Sequence, residues 1–268
     1  MNETEQILTT LFDCSRVDLY IDPPVLTSEQ EEKILEIQRR RQQGEPLQYI
    51  LEYCEFMGLK ILVNPNVLIP RPETEILVEL ILGKVKSFNN RHLSVLDLGT
   101  GSGNIAISLA KFRDDCQLTA VDISAAAIAI AHKNAHINNV TGKIEFVLQD
   151  MEQFCKECLQ AGRRFDIIVS NPPYIKALEI DFLSREVRHE PRLALDGGDD
   201  GLKFIRLILE KVSCLLTRDG FLIMEIGDGQ RQAVEKILQE KPSFWKIKFY
   251  KDYVGIDRLV MLSNHNNQ

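Results

Sequence analysis

From residue 93 onward the chain alternates short apolar runs with stretches of helical spacing, and this pattern limits the possible folds more than any other feature of the sequence. Strands are expected at 93–98, 118–122, 144–148, 165–170, 220–226, 246–250 and 258–262, with helical periodicity between most neighbours. Alternation of this kind builds a parallel sheet covered by helices on both faces. Only residues 251–257 separate the last two runs, too few for a parallel crossover of about a dozen residues, so the sheet should end in an antiparallel hairpin.

Ahead of that pattern the character differs. Ile7, Leu8, Leu11 and Phe12 share a helical face, and Thr27 with Gln30 forms a capping-box pattern opening a helix through Ile34, Leu35 and Ile37. Gly44 is placed to stop it, and Asp22-Pro23-Pro24 separates the two helices. The segment 49–69 is rich in β-branched and aromatic residues, with turn signals at Gly58 and Asn64-Pro65-Asn66, and reads as a hairpin. Pro72 then suits the first position of a new helix, with Glu73 and Glu75 in its first turn. The expected division is a small helical unit over 1–45, a hairpin linker over 46–69 and a large α/β domain over 70–268.

Charge follows the same division. Of a net charge of −7, residues 1–69 contribute twelve acidic and six basic side chains, and the remainder is nearly balanced. The chain lacks the basic field of a duplex-binding protein, and Arg39-Arg40-Arg41 reads as a solvated helix face rather than a phosphate clamp. No apolar run approaches the ~18 residues of a membrane span. The first residues lack the basic flank and apolar core of a signal peptide, and the six cysteines are scattered, so a reducing cytoplasm is expected. Cys155 and Cys158 form a lone CxxC with no second pair, which reads as two thiols on a helix rather than a metal site.

The first strand of the α/β region runs into Asp97-Leu98-Gly99-Thr100-Gly101-Ser102-Gly103-Asn104. Glycines where a strand turns into a helix let the backbone approach a ligand closely, so Gly99, Thr100, Gly101, Ser102 and Gly103 form a candidate ligand-binding turn. Asn104 stands short of the third glycine of a dinucleotide fingerprint, which weakens an NAD reading. The next strand ends at Asp122, 19 residues beyond Gly103 and suited to ribose hydroxyls. The third ends at Asp150-Met151, a carboxylate for an exocyclic amine beside an apolar contact for a ring. The fourth is followed by Asn171-Pro172-Pro173-Tyr174. Two prolines remove two N–H donors, so this segment offers acceptors, and Tyr174 adds a flat face. A planar amide or base nitrogen fits such a rim.

These residues resemble the Asn-Pro-Pro-Tyr class of S-adenosylmethionine-dependent methyltransferases. The likeness extends to Gly44-Glu45-Pro46-Leu47-Gln48-Tyr49-Ile50, to Val67-Leu68-Ile69-Pro70-Arg71-Pro72-Glu73-Thr74-Glu75, to Glu190-Pro191-Arg192-Leu193-Ala194-Leu195-Asp196-Gly197-Gly198 and to Gly255-Ile256-Asp257-Arg258. Together they resemble the PrmC/HemK family of release factor glutamine methyltransferases. The resemblance implies a Rossmann-like seven-stranded methyltransferase sheet behind a small N-terminal substrate-recognition domain. It implies N5-methylation of the glutamine in the Gly-Gly-Gln motif of class I peptide chain release factors, by a cytoplasmic monomer that uses S-adenosyl-L-methionine without a metal.

Carried over by position, cofactor contacts fall on Gly99–Gly103, Asp122, Asp150, Met151 and Asn171. Substrate contacts fall on Asn171, Pro172, Pro173 and Tyr174, and catalysis on Asn171, Pro172 and Tyr174. Methionine at 151 replaces a tryptophan that the family can carry, keeping apolar contact without an aromatic stack. Two other substrates remain open from the motif alone: a ribosomal-protein glutamine, and a flipped DNA adenine, which the acidic small domain disfavours. A non-catalytic nucleotide-binding module would have no use for the acceptor-lined segment.

Overall fold

The computed structural model describes residues 2–21, 25–85, 92–240 and 245–264. The Asp22-Pro23-Pro24 turn expected from the sequence lies outside them. The chain opens with helices α1 (Glu3–Phe12), α2 (Asp18–Ile21) and α3 (Ser28–Gln42). Asn2 with Glu5 and Thr27 with Gln30 form reciprocal capping boxes on α1 and α3. Gly44, at φ +87°, turns the chain out of α3 in the left-handed region that glycine adopts without strain. Ile7 and Ile37 meet Leu47 in a small apolar cluster, while Leu35 is 64% exposed.

The hairpin is shorter than the composition of 49–69 indicated. Residues Leu47–Leu51 form helix α4 behind Pro46, burying Leu47 and Tyr49, and pairing is confined to β1 (Tyr53–Phe56) and β2 (Leu59–Leu62). Met57 and Gly58 both have positive φ, the geometry of a tight hairpin turn. Beyond the hairpin, α5 (Pro72–Val85) begins with Pro72 in its first position, as expected.

The α/β region then runs β3 (Leu93–Leu98), α6 (Asn104–Phe112), β4 (Cys116–Asp122), α7 (Ala125–Ile137), β5 (Ile144–Leu148), α8 (Met151–Gln160) and β6 (Phe165–Ser170). It continues with α9 (Arg192–Leu195), α10 (Lys203–Leu215), β7 (Leu216–Glu225), α11 (Arg231–Gln239), β8 (Trp245–Lys251) and β9 (Asp257–Asn264). Among the described residues the large sheet has seven strands in the order β5-β4-β3-β6-β7-β9-β8. The first five are parallel, and β9 pairs antiparallel with both β7 and β8, the terminal hairpin that the short 251–257 connection required. Strands β4 and β7 start earlier than the apolar runs did, at Cys116 and Leu216.

Side chains alternate across the sheet with period two. Val95, Ile167, Val169, Phe221 and Ile223 face the layer that contains α5, α6, α7 and the small hairpin, and Leu96, Ile168, Leu222 and Met224 face α8, α10 and α11. Strands buried on both faces are apolar throughout, which is why they were legible as runs. Each of these fully buried apolar side chains contributes roughly 1.5–3 kcal/mol of transfer free energy. Strand order reverses between β3 and β6. In open α/β sheets the ligand crevice lies at such a switch point, outside the carboxyl ends of the strands.

Candidate active site

Leu98 at the end of β3 pairs with Ser170 at the end of β6. The glycine-rich turn and the Asn-Pro-Pro-Tyr segment therefore emerge side by side at the switch point, although 72 residues separate Leu98 from Ser170 and the Ser170 hydroxyl ties them by donating to the Leu98 carbonyl at 2.7 Å. Gly99, Gly101 and Gly103 have φ of +75°, +56° and +79°. A Cβ on Gly101 would meet nothing within 4 Å, whereas one on Gly103 would stand 2.9 Å from Ile107 Cδ1, so the first is held open toward a ligand and the second allows tight helix packing. Asn134 of α7 accepts from Leu62 N at 2.7 Å and donates to Ser102 O at 2.9 Å, which ties the small hairpin to this turn. That link was invisible in the sequence.

A cavity of about 370 Å³ lies over the turn. Its lining includes Gly99, Thr100, Gly101, Ser102, Asp122, Asp150, Met151, Asn171 and Pro173, together with Thr74 and Leu68. Gly103 is absent from that lining, and its lack of a Cβ leaves room for Ile107 and Ala131. Asp122 accepts from Gly101 N and Ser124 N at 2.8 Å each, one on each oxygen, and keeps a further lone pair on both. Burial raises its carboxyl above the ordinary range, and those N–H groups oppose the rise. Asp150 caps α8, accepting from Glu152 N and Gln153 N with the same oxygen, so the cap and the cavity wall are one residue. Met151 Cε sits 3.7 Å from where a Gly99 Cβ would be, closing one side of the cavity with an apolar group.

A second cavity of about 220 Å³ adjoins the first. Pro172, Tyr174, Leu68, Arg71, Leu183 and Leu195 contribute to its walls, and Asn171 lines both cavities. The Asn171 side chain is oriented by its amide nitrogen, which donates to Thr74 Oγ1 at 3.1 Å. Its Oδ1 is buried with no hydrogen-bond partner. An unpartnered buried acceptor is costly, and its position between two cavities marks where a ligand's N–H is expected.

Four further polar side chains stand at the candidate site, and the sequence assigned none of them a role. Thr74 donates to Glu225 Oε2 at 2.7 Å, and Tyr174 donates to Glu225 Oε1 at 3.1 Å. Glu225 is buried, and desolvation pushes its carboxyl up to about 6. Burial, with Glu225 beside it, raises the Tyr174 phenol far above its usual range, so the ring stays neutral. Asp97, buried under the glycine turn, accepts from Thr100 Oγ1 at 2.7 Å on one oxygen while the other has no partner, and burial pushes it up to about 7. Glu190 accepts from Ile69 N at 3.1 Å and pairs with Arg71 on the wall of the second cavity. Thr74, Asp97 and Glu190 stand in segments that the sequence singled out, without a role for the side chain itself; Glu225 stands in none.

The cysteine pair and the arginine run have structural settings of their own. Cys155 and Cys158 are buried thiols on α8, with Cys155 raised to about 12 by desolvation, which leaves it unreactive at neutral pH. Arg39 and Arg40 pair with Glu36 and Glu45, and Arg41 bridges Glu3 and Glu186, so the arginine run is spent on internal ion pairs. Among the described residues, no group of three or more His, Cys, Asp or Glu is arranged to hold a metal ion, and no helix is long and apolar enough to cross a membrane.

Comparison with known proteins agrees with this geometry. Residues 89–261 match the family model described as a methyltransferase domain, and residues 1–51 match the PrmC N-terminal domain. Among solved structures, the catalytic domain of hMettl16 bound to a MAT2A 3′UTR hairpin superposes with a TM-score of 0.60 at 17% identity, covering 90% of this chain and 82% of that one. Human methyltransferase 10 domain containing protein gives 0.57 at 15%, covering 90% and 99%. These likenesses establish the fold. A release factor glutamine methyltransferase of Thermodesulfovibrio yellowstonii is 40% identical over 98% of this chain and 92% of its own length. Another, from Lactococcus lactis, is 41% identical over 87% and 83%. With a matching fold, both family domains and two-fifths identity along nearly its whole length, this chain belongs to the release factor glutamine methyltransferase family.

Proposed function

We propose that the protein transfers a methyl group from S-adenosyl-L-methionine to the N5 nitrogen of the glutamine in the Gly-Gly-Gln motif of class I release factors, in the cytoplasm. The observation that carries this reading is the buried, unpartnered Oδ1 of Asn171 at the junction of two cavities. The larger cavity suits the cofactor: Gly99–Gly103 for close backbone approach, Asp122 for the ribose hydroxyls, and Asp150 with Met151 for the adenine. The smaller cavity suits a glutamine side chain between Pro172, Tyr174 and Leu68. Residues 1–45 would contact the protein substrate, and 46–69 join them to the domain over 70–268.

The bound cofactor would supply an electrophilic methyl group on a sulfonium, its S–CH3 bond breaking as the N–CH3 bond forms to leave S-adenosyl-L-homocysteine, and the nitrogen would lose one proton to solvent after transfer. A primary amide nitrogen is a poor nucleophile because its lone pair is delocalised into the carbonyl. Asn171 Oδ1 and the Pro172 carbonyl would accept the two amide hydrogens, which fixes the plane of the amide and directs the nitrogen toward the first cavity. As positive character develops on that nitrogen, both acceptors bind more strongly than in the ground state, so the stabilisation is specific to the transition state. The Pro172-Pro173 pair offers no N–H that could compete for them. Tyr174, held neutral, walls the glutamine without introducing a charge.

The test is transfer of labelled methyl to purified release factor, with a ribosomal-protein fraction and duplex DNA as parallel acceptors. Label on the release factor that disappears when the Gly-Gly-Gln glutamine is changed to alanine is the expected result. Label on either of the other acceptors alone would overturn the assignment.

A further inference from the structure

We propose that Thr74 and Glu225 are positioning residues that fix which end of the Asn171 amide faces the reacting nitrogen. The inference rests on the reading that Asn171 Oδ1 receives the substrate amide. An asparagine side chain is nearly symmetric in shape but opposite in function at its two ends: the oxygen accepts and the nitrogen donates. Nothing in the Asn-Pro-Pro-Tyr segment itself decides between them. If the amide turned over, an N–H would point at the substrate amide hydrogens and the site would repel what it must hold.

The decision is made through Thr74. A hydroxyl has one proton, and the Thr74 proton is committed to Glu225 Oε2 at 2.7 Å. Toward Asn171 the hydroxyl can therefore only accept, and it accepts from Nδ2 at 3.1 Å. Oδ1 is left on the opposite side, buried and free. The direction of each bond follows from the one before: an ionised carboxylate is acceptor-only, so the threonine must donate to it, so the asparagine must donate to the threonine. Tyr174 donates to the other Glu225 oxygen at 3.1 Å, so a single carboxylate orients two members of the motif.

Glu225 is fully buried, which makes its ionisation sensitive to surroundings. The groups facing it are Thr74 and Glu73 from α5, Tyr174 beyond β6, and Arg258 from β9; Glu73 disfavours the charged form, while Arg258 and the two hydroxyl donors favour it. Arg258 is itself held by Asp252 at 3.1 Å. When Glu225 takes up a proton it can donate to Thr74, which releases the threonine proton toward Asn171 and removes the preference for one amide orientation. With its carboxyl near 6, that loss falls within an accessible range.

The experiment uses the full-length protein and two readouts. In the first, kcat for methylation of release factor is followed from about pH 5 to about pH 8 at saturating cofactor for wild type, Thr74→Val, Thr74→Ser and Glu225→Gln. Thr74→Val should lower kcat about 10- to 100-fold with KM for the cofactor little changed, because one orienting hydrogen bond is lost. Thr74→Ser, which keeps the hydroxyl, should restore most of it. Wild-type kcat should fall on the acid side near pH 6, and Glu225→Gln should lose that limb. The second readout needs no substrate: the Asn171 side-chain amide resonances, assigned by their absence in Asn171→Asp, should shift with pH in wild type and stop shifting in Glu225→Gln. An acid limb that persists in Glu225→Gln belongs to another group, such as Asp97, and overturns the proposal. So does Thr74→Val that turns over like wild type, or Asn171 resonances indifferent to pH. Because the resonance experiment is independent of the methyl acceptor, a wrong substrate assignment would leave it intact while abolishing the first readout.

Discussion

Gly197 packs against the backbone of the candidate catalytic segment, and replacing it with alanine tests whether that segment must be held in place for catalysis. A Cβ at this position would stand 2.8 Å from Tyr174 Cα and 2.9 Å from both Gly201 Cα and Gly201 O. All three are backbone atoms, so no side chain can swing aside. Ordinary contact begins near 3.4 Å, so Tyr174 must retreat by about 0.6 Å. The pairing around it resists: Gly197 N donates to Ile175 O at 2.8 Å, and Ile175 N donates to Leu195 O at 3.0 Å. Overpacking of this kind costs about 1–3 kcal/mol of stability. The catalytic cost should be larger in proportion, because misplacing a positioning group by about 1 Å lowers rate by up to about 100-fold. Gly198→Ala is the control. Its φ of +85° brings about 1–2 kcal/mol of backbone strain, but its Cβ meets only the flexible Lys203 side chain at 3.2 Å. Both variants should lose similar stability in urea unfolding, whereas only Gly197→Ala should lose kcat, by about 10- to 100-fold with cofactor affinity retained. Equal turnover in the two variants would refute the argument that displacement of Tyr174, rather than general destabilisation, is what matters.

Three further outcomes follow from the site. Asn171→Ala removes the buried acceptor and should lower kcat on the order of 10²–10³-fold, measured by methyl transfer at saturating substrates; wild-type turnover would remove Asn171 from the mechanism. Asp122→Asn should weaken S-adenosylmethionine binding by roughly 1.5–3 kcal/mol by calorimetry, and unchanged affinity would dissociate this carboxylate from the ribose. Asp97, raised from 3.8 to about 7 by burial, holds a proton in the native state that the unfolded chain has already released. Its contribution to stability is therefore greatest below about pH 4 and falls as pH rises through about 7, by up to ~4 kcal/mol. Asp97→Asn should flatten the decline of the urea midpoint over that interval relative to wild type, and parallel curves would contradict the assignment.

What could be read from the sequence and what could not divide along a physical line. The central strands β3 and β6 stood out because burial on both faces makes them largely apolar, and the terminal hairpin followed from the length of one connection. Gly99–Gly103 and Asn171–Tyr174 were legible for a similar reason: each has distinctive backbone properties encoded locally, positive φ in one and missing donors in the other. Helix α4 was misread as strand because Tyr49, Ile50 and Leu51 have strand-like composition, and the Pro46 entry with buried Leu47 and Tyr49 outweighs that preference. The pairing of Thr74 with Glu225 could not be found at all. Thr74 stands in a segment that the sequence singled out, but Glu225 is 151 residues away in none, and only the fold brings the end of β7 against the first turn of α5.

The acidity of the first 69 residues acquires a more definite meaning from the ion pairs. Five of the six basic groups there are engaged: Arg16 with Glu5, Lys33 with Glu29, Arg39 with Glu36, Arg40 with Glu45, and Arg41 with Glu3 and Glu186. The sixth, Lys60, lies 4.4 Å above the Tyr53 ring. Asp13, Glu31, Glu32, Glu52 and Glu55 are exposed, so the field that the unit presents outward is negative, unfavourable to phosphates and favourable to a basic protein surface. Arg41 gives that unit a mechanical connection to the site as well. Its partner Glu186 lies four residues before Glu190, which accepts from Ile69 N and pairs with Arg71 on the wall of the smaller cavity. Surface pairs of this kind are individually weak, but this one is 18% exposed on the arginine side and continues into a pair whose carboxylate side chain is 1% exposed. The helical unit is thus braced against the segment that encloses the smaller cavity, so a substrate that displaces one would strain the other.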